Sequence, residues 1–208
     1  MDSKYDIIRE IVSIEWEMFT AVNEGKERAG CQEDRLTFEG MRFAQFSAWP
    51  QECAVSYLDD LETAVQTSRN LVEEKYIHMM KYSQPVEYKA LLHRVIMPTV
   101  AAKELAERLC GILVEQARIL SHRFPYVAGQ GRPLYAKQDY RGTSIETYQL
   151  GELLTYSEGT LLKLLEYVEA YKKDGGSLAR DITVNTVLFY GYESLEQAEA
   201  AMKERIEG

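Results

Sequence analysis

The chain has 208 residues, of which 46% are hydrophobic, 27% charged and 11% aromatic. That composition excludes a disordered chain and supplies enough apolar material for one large domain with a core. The net charge of −9 offers no basic stripe for a phosphate backbone, which argues against nucleic acid as a main partner.

The chain opens MDSKYDIIREIV, charged and amphipathic, without the apolar stretch of a signal peptide. No apolar run approaches the ~20 residues that span a bilayer, so no membrane partner is expected. Cys31, Cys53 and Cys110 are odd in number and not closely paired. They read as free thiols in a reducing, cytoplasmic compartment.

Helical periodicity dominates from the start. A first helix is expected from about Lys4 to Asn23, closed at Gly25. A polar connection, GKERAG, leads to a second helix from about Gln32 to Ala48. Pro50 breaks the chain or opens a third helix, which carries Tyr57, Leu61, Ala64 and Val65 inward. A further helix covers Leu71 to Lys81. Pro85 opens a short helix to Arg94, and Pro98 a long one to about Arg123. Residues Pro125 to Gly142 are the one long irregular segment. Thr143 then fits an N-cap, with Glu146 as its capping-box partner, for a long helix that reaches Lys173. Asp174, Gly175 and Gly176 stop it. Ser177 caps the next helix, to near Gly191, and Ser194 with Gln197 forms a capping box for the last. Only Ile182–Tyr190, β-branched and aromatic, reads equally as strand. The expected architecture is all-α, a single-domain bundle of about seven to nine helices over residues 1–208.

Glutamates interrupt the apolar stripes. Glu15 lies within Ile8, Ile11, Val12, Phe19 and Val22, and Glu39 within Leu36, Phe43 and Phe46. Glu152 sits one turn from Tyr148 and from Tyr156. Helical spacing turns all three inward, and a buried carboxylate needs a cation, a proton or hydrogen-bond donors. Three such groups on three helices are expected to converge on one internal pocket. Trp16, Tyr148 and Tyr156 would line it, and a glutamate with a raised pKa could serve as a general base. Carboxylates meeting in a bundle can also hold two metal ions, but the usual Glu-x-x-His pairs are absent. Glu74 and His78, four apart, are the nearest approach to a ligand pair. The bland alternative is that the glutamates pair with arginines or tyrosine hydroxyls and fix helix register.

The segment SHRFPYVAGQGRPLYAKQDYRGTS reverses the local charge. It carries Arg123, Arg132, Lys137 and Arg141 against Asp139, with Gly129, Gly131 and Gly142. Arginines on a long loop suit a carboxylate or phosphate, so Arg123, Arg132 and Arg141 are placed at the mouth of the pocket. The fourteen tyrosines offer apolar bodies with hydroxyls that can satisfy buried carboxylates. Cys31, near a helix start, is disfavoured as a nucleophile by Glu33 and Asp34.

The segments IEWEMFTAVNEGKERAGCQEDRLTFEGMRFAQFSAWP and ETYQLGELLTYSEGTL, with GQGRP and NTVLFYGYESLEQAE, resemble the domain-of-unknown-function family 4125. The resemblance implies a bacterial origin and carries no activity. Position 78 is not usually histidine in that family, which weakens the Glu74–His78 pair. Three functions stay open. The first is a small-molecule-binding protein, or an enzyme, whose internal acids and outer arginines suit a zwitterion. The second is a dimetal carboxylate oxidase or oxygenase. The third is a non-catalytic helical interaction module. Cofactor and oligomeric state are not set by the sequence, and no metal-ligand set is assigned.

Overall fold

The computed structural model describes residues 3–22 and 33–208. Cys31 and the helix stop expected at Gly25 lie outside the described residues. Among the described residues there are eleven α-helices, two 3₁₀ turns and no strand. The class is as expected. The count exceeds seven to nine because the chain breaks at more caps than the periodicity disclosed.

α1 (Lys4–Thr20) is started by a capping box between Ser3 and Asp6 and buries Ile7, Ile8, Ile11, Val12, Glu15, Met18 and Phe19. α2 (Arg35–Ser47) starts at Asp34, whose carboxylate accepts from the Thr37 amide. α3 (Gln51–Gln66) follows Pro50, and α4 (Leu71–Ser83) starts at Asn70. Asn70 also donates to the Met18 carbonyl at 2.7 Å, tying the start of α4 to the end of α1. α5 (Pro85–Leu91) runs into a 3₁₀ turn at Leu92–Arg94. The long α6 (Val100–Arg123) is capped by Thr99 rather than begun by Pro98.

The segment expected to be irregular contains the short α7 (Pro125–Gly129) and a 3₁₀ turn at Ala136–Arg141. The expected long helix after it is two helices, α8 (Ile145–Leu153) and α9 (Glu158–Lys173). Ser144, not Thr143, caps α8. Glu146 instead accepts from the Ala136 amide at 2.7 Å and so holds the preceding turn. Ser157 caps α9, and its amide donates to Asp60 at 3.0 Å, which fixes the break. The ambiguous Ile182–Tyr190 run is helical in α10 (Leu178–Phe189). Thr183 and Thr186 there return their hydroxyls to backbone carbonyls one turn back. α11 (Leu195–Glu207) ends the chain; Gln197 reaches the Glu193 amide rather than completing the Ser194 box.

α1 packs on α2, α3 and α4, while α6 packs on α8, α9 and α10. α3–α9 and α4–α8 contacts join the two groups. One continuous core runs through them, from Ile11 and Phe46 to Leu109, Leu161 and Leu164. A smaller cluster of Phe124, Val187, Leu195 and Ala198 seats α11.

Close approach of α8 to α4 depends on Gly151. A Cβ there would meet the Lys75 carbonyl at 3.0 Å and Met79 Cγ at 2.7 Å. Gly151→Ala should therefore push these helices apart and destabilise the protein by about 1–3 kcal/mol. Chemical denaturation reads this directly. An unchanged midpoint and slope would show that the contact relaxes freely.

Candidate functional site

Four helices bring a neutral quartet of charges into the core. Glu15 comes from α1, Arg42 from α2, Lys75 from α4 and Glu152 from α8, and each is at most 7% exposed. Arg42 stands at the centre. Its Nε donates to Glu15 Oε2 at 2.6 Å, and Nη2 closes a second, very short bond to Glu15 Oε1. Nη1 donates to Gln45 Oε1 at 2.8 Å and to Glu152 at 3.2 Å, and Nη2 also reaches Glu152 at 3.2 Å. All five guanidinium N–H groups can thus be engaged.

The carboxylates are likewise enclosed. Tyr57 donates to Glu15 at 2.8 Å. Glu152 accepts from Tyr156 at 2.7 Å, Gln45 at 2.8 Å and Lys75 at 2.5 Å. Burial alone would raise the Glu152 carboxyl, but Arg42 and Lys75 outweigh it and hold it well below the usual carboxylate range. Burial, followed by Glu15 for Tyr57 and Glu152 for Tyr156, pushes both phenols well above their ordinary value. Glu152 is therefore an anion and the tyrosines are neutral donors. This corrects the idea of Glu152 as a general base with a raised pKa, because paired cations win over desolvation here.

The structure joins Glu15, Glu152 and Tyr156, with Tyr148 at their edge. Glu39 is not among them. It is about one-third exposed and bonded to Arg35 at 2.7 Å, because the stripe of α2 that faces the core runs through Phe38, Arg42 and Phe46 and leaves Glu39 to one side of it. Trp16 packs against Phe38 and Phe19, with Arg35 above its ring, away from the ion quartet. Arg123 faces Glu196 of α11 at 3.7 Å, and Arg141 is exposed. Arg132 does approach: its guanidinium carbon lies 4.6 Å from the Tyr148 ring centre, and Lys75 Nζ lies 3.5 Å from that same centre.

Sequence reasoning missed Arg42, Gln45, Tyr57 and Lys75 as a set. The signal for Arg42 was its position one turn from both Phe38 and Phe46, and for Lys75 its place one turn after Leu71. Neither was singled out from the sequence. Glu74 does point inward, but Arg69 holds it through two bonds of 2.9 and 2.8 Å, so it is not oriented with His78 as a ligand pair. Among the described residues no group of three or more His, Cys, Asp or Glu side chains is arranged to hold a metal ion. A shallow, open concavity lined by Asp6, Arg9, Glu10 and Ser13 lies on the outer face of α1 and shares no residue with the quartet.

Fold and site together define an all-α protein organised around a buried, charge-balanced ion network. The chain belongs to the family described as protein of unknown function (DUF4125), whose model matches residues 5–200. No curated protein and no solved structure matches the chain. No helix among the described residues is long and apolar enough to cross a membrane.

Removing the central cation leaves Glu15 buried without its partner. Arg42→Met should lower stability by about 3–5 kcal/mol, and adding Glu15→Gln should recover part of that loss. Guanidinium denaturation of the single and double variants measures both. A loss under ~1 kcal/mol for Arg42→Met would mean the network is not compensating buried charge.

His78 sets an acid-side pH dependence. Burial, aided by Lys81, lowers its pKa from 6.5 to about 4, and Nε2 has no hydrogen-bond partner among the described residues. Between those values the unfolded chain takes a proton that the folded chain refuses. Stability should fall as pH drops from about 6.5 to about 4, by up to ~1.4 kcal/mol per pH unit, with no further contribution below. His78→Gln should flatten the stability–pH curve in that window. An unaltered slope would exclude His78 as the titrating group.

Proposed function

We propose that this is a bacterial cytoplasmic protein that binds a small molecule at the outer end of the buried ion network. In this reading Lys75 is the contact, while Tyr148 and Arg132 form the entrance. The observation that carries it is the spare capacity of Lys75. Lys75 is 6% exposed, and its ammonium donates to Glu152 and rests on the Tyr148 ring, which leaves one of its three N–H groups without a protein partner among the described residues. Tyr148 is half-buried and Arg132 exposed, so exposure rises outward from Lys75 across the ring that both cations approach.

Glu15, Arg42, Glu152, Tyr57 and Tyr156 then act as a rigid floor that holds Lys75 in place. Such buried ion groups add little net stability compared with an apolar core, which fits a site kept for recognition. The free, buried Cys53 and Cys110 accord with a reducing compartment. A dimetal centre is disfavoured because Arg42 and Lys75 already occupy the carboxylates.

A second reading, a non-catalytic interaction module, draws on one surface. Leu188, Phe189 and Tyr190 are exposed at the end of α10, beside Met41 of α2. Retention of small molecules separates the two. Wild-type protein incubated with a bacterial metabolite extract, washed and denatured should release a defined set of compounds. Lys75→Met should lose at least ten-fold of that signal while its circular dichroism stays helical. Equal retention by both forms would overturn the binding reading and leave the interaction module.

A further inference from the structure

The same site discriminates by charge. We infer that the group it recognises is an oxyanion, a carboxylate or a phosphate, held between Lys75 and Arg132 beside the Tyr148 ring. This rests on the binding reading above and narrows it.

The argument is one of unmatched capacity. Within the quartet the acids are committed: Glu152 accepts from Arg42, Lys75, Gln45 and Tyr156, and Glu15 from Arg42 and Tyr57. Arg42 has no donor left over. A ligand ammonium would therefore find no free acceptor and would meet Arg132 at the entrance and Lys75 behind it. An oxyanion would find donors.

Arg132 is the second half of the site. Its one polar protein contact among the described residues is Nη1 to the Thr143 carbonyl at 3.2 Å, and no acid there pairs with it. An unpaired arginine is notable in a chain of net charge −9. Its position is also constrained. Pro133 and Leu134 carbonyls accept from the Ile145 and Glu146 amides at 2.7 and 3.1 Å, anchoring the backbone beside α8. Asp139 accepts from the Ser144 amide at 2.8 Å and from the Thr147 hydroxyl at 2.7 Å. The guanidinium is thus carried on a tied-down segment, 4.6 Å from the ring centre that Lys75 Nζ approaches to 3.5 Å. Two cations sharing one ring repel each other, and an anion between them would relieve that repulsion. A guanidinium fork also matches the paired oxygens of a carboxylate or phosphate. The zwitterionic ligand expected from sequence thereby reduces to its acidic half.

The test is NMR titration of the full chain at constant ionic strength, with acetate, inorganic phosphate and choline as probes against chloride. Acetate or phosphate should give saturable shifts of the Tyr148 ring and Lys75 side-chain resonances. Which of the two binds more tightly distinguishes a carboxylate from a phosphate site. Arg132→Ala, an exposed substitution that leaves the core intact, should weaken that binding at least ten-fold. Shifts matched by chloride, a stronger response to choline, or an Arg132→Ala protein that binds as wild type would each overturn the inference. If the metabolites retained in the experiment above are cationic or neutral but still depend on Lys75, the binding reading survives and the oxyanion assignment falls.

Discussion

Everything near the centre of this protein follows from the need to satisfy one buried guanidinium. Arg42 has five N–H groups and is almost wholly buried. Its partners must come from other helices, because its own helix supplies only Gln45. Glu15 therefore fixes α1 against α2, and Glu152 fixes α8 against α2. Lys75 then balances the second carboxylate and draws α4 in. A hydrophobic contact tolerates sliding by a fraction of a turn; a forked ion pair does not. The network thus sets helix register where apolar packing alone would leave it soft.

The aromatic shell serves the same constraint. Tyr57 and Tyr156 lie 4.6 Å apart between ring centres, and Phe46 and Trp49 pack around Tyr57. These rings exclude water and strengthen each ion pair, while the two phenols supply the donors that carboxylates still require. Arg42 also lies over the Phe46 ring at 4.8 Å. The skew toward tyrosine over phenylalanine in the composition has a local use here, since phenylalanine at 57 or 156 would leave a carboxylate lone pair unmatched.

Much of the fold was legible because it is written in local signals. Ser177 and Ser194 mark helix starts by their own side chains, and Gly175 stops α9 at φ 82°. The break between α8 and α9 was missed although Ser157 caps α9 in the same local way, and Asp60 of α3 also holds the Ser157 amide. The site divides in the same way. An acid on an apolar stripe announces itself, so Glu15 and Glu152 were visible. Glu39 had similar spacing to Phe43 and Phe46, yet the stripe of α2 that is buried runs through Phe38, Arg42 and Phe46, one residue to the side of it. Arg42 and Lys75 were overlooked because long cations ordinarily snorkel to solvent, and only the neighbouring helices show that these two do not.

The span of the quartet along the chain also bears on how the protein folds. Arg42 meets partners 27 residues before it and 110 residues after it. No fragment ending before α8 can present Glu152, and a collapsed state with Arg42 enclosed but α8 undocked would hold a cation with half its partners missing. Such compact intermediates are penalised electrostatically while apolar collapse favours them. The ion network accordingly works as a late checkpoint on assembly, favouring the all-or-none docking of α1, α2, α4 and α8 over piecemeal accretion of helices as the chain is synthesised.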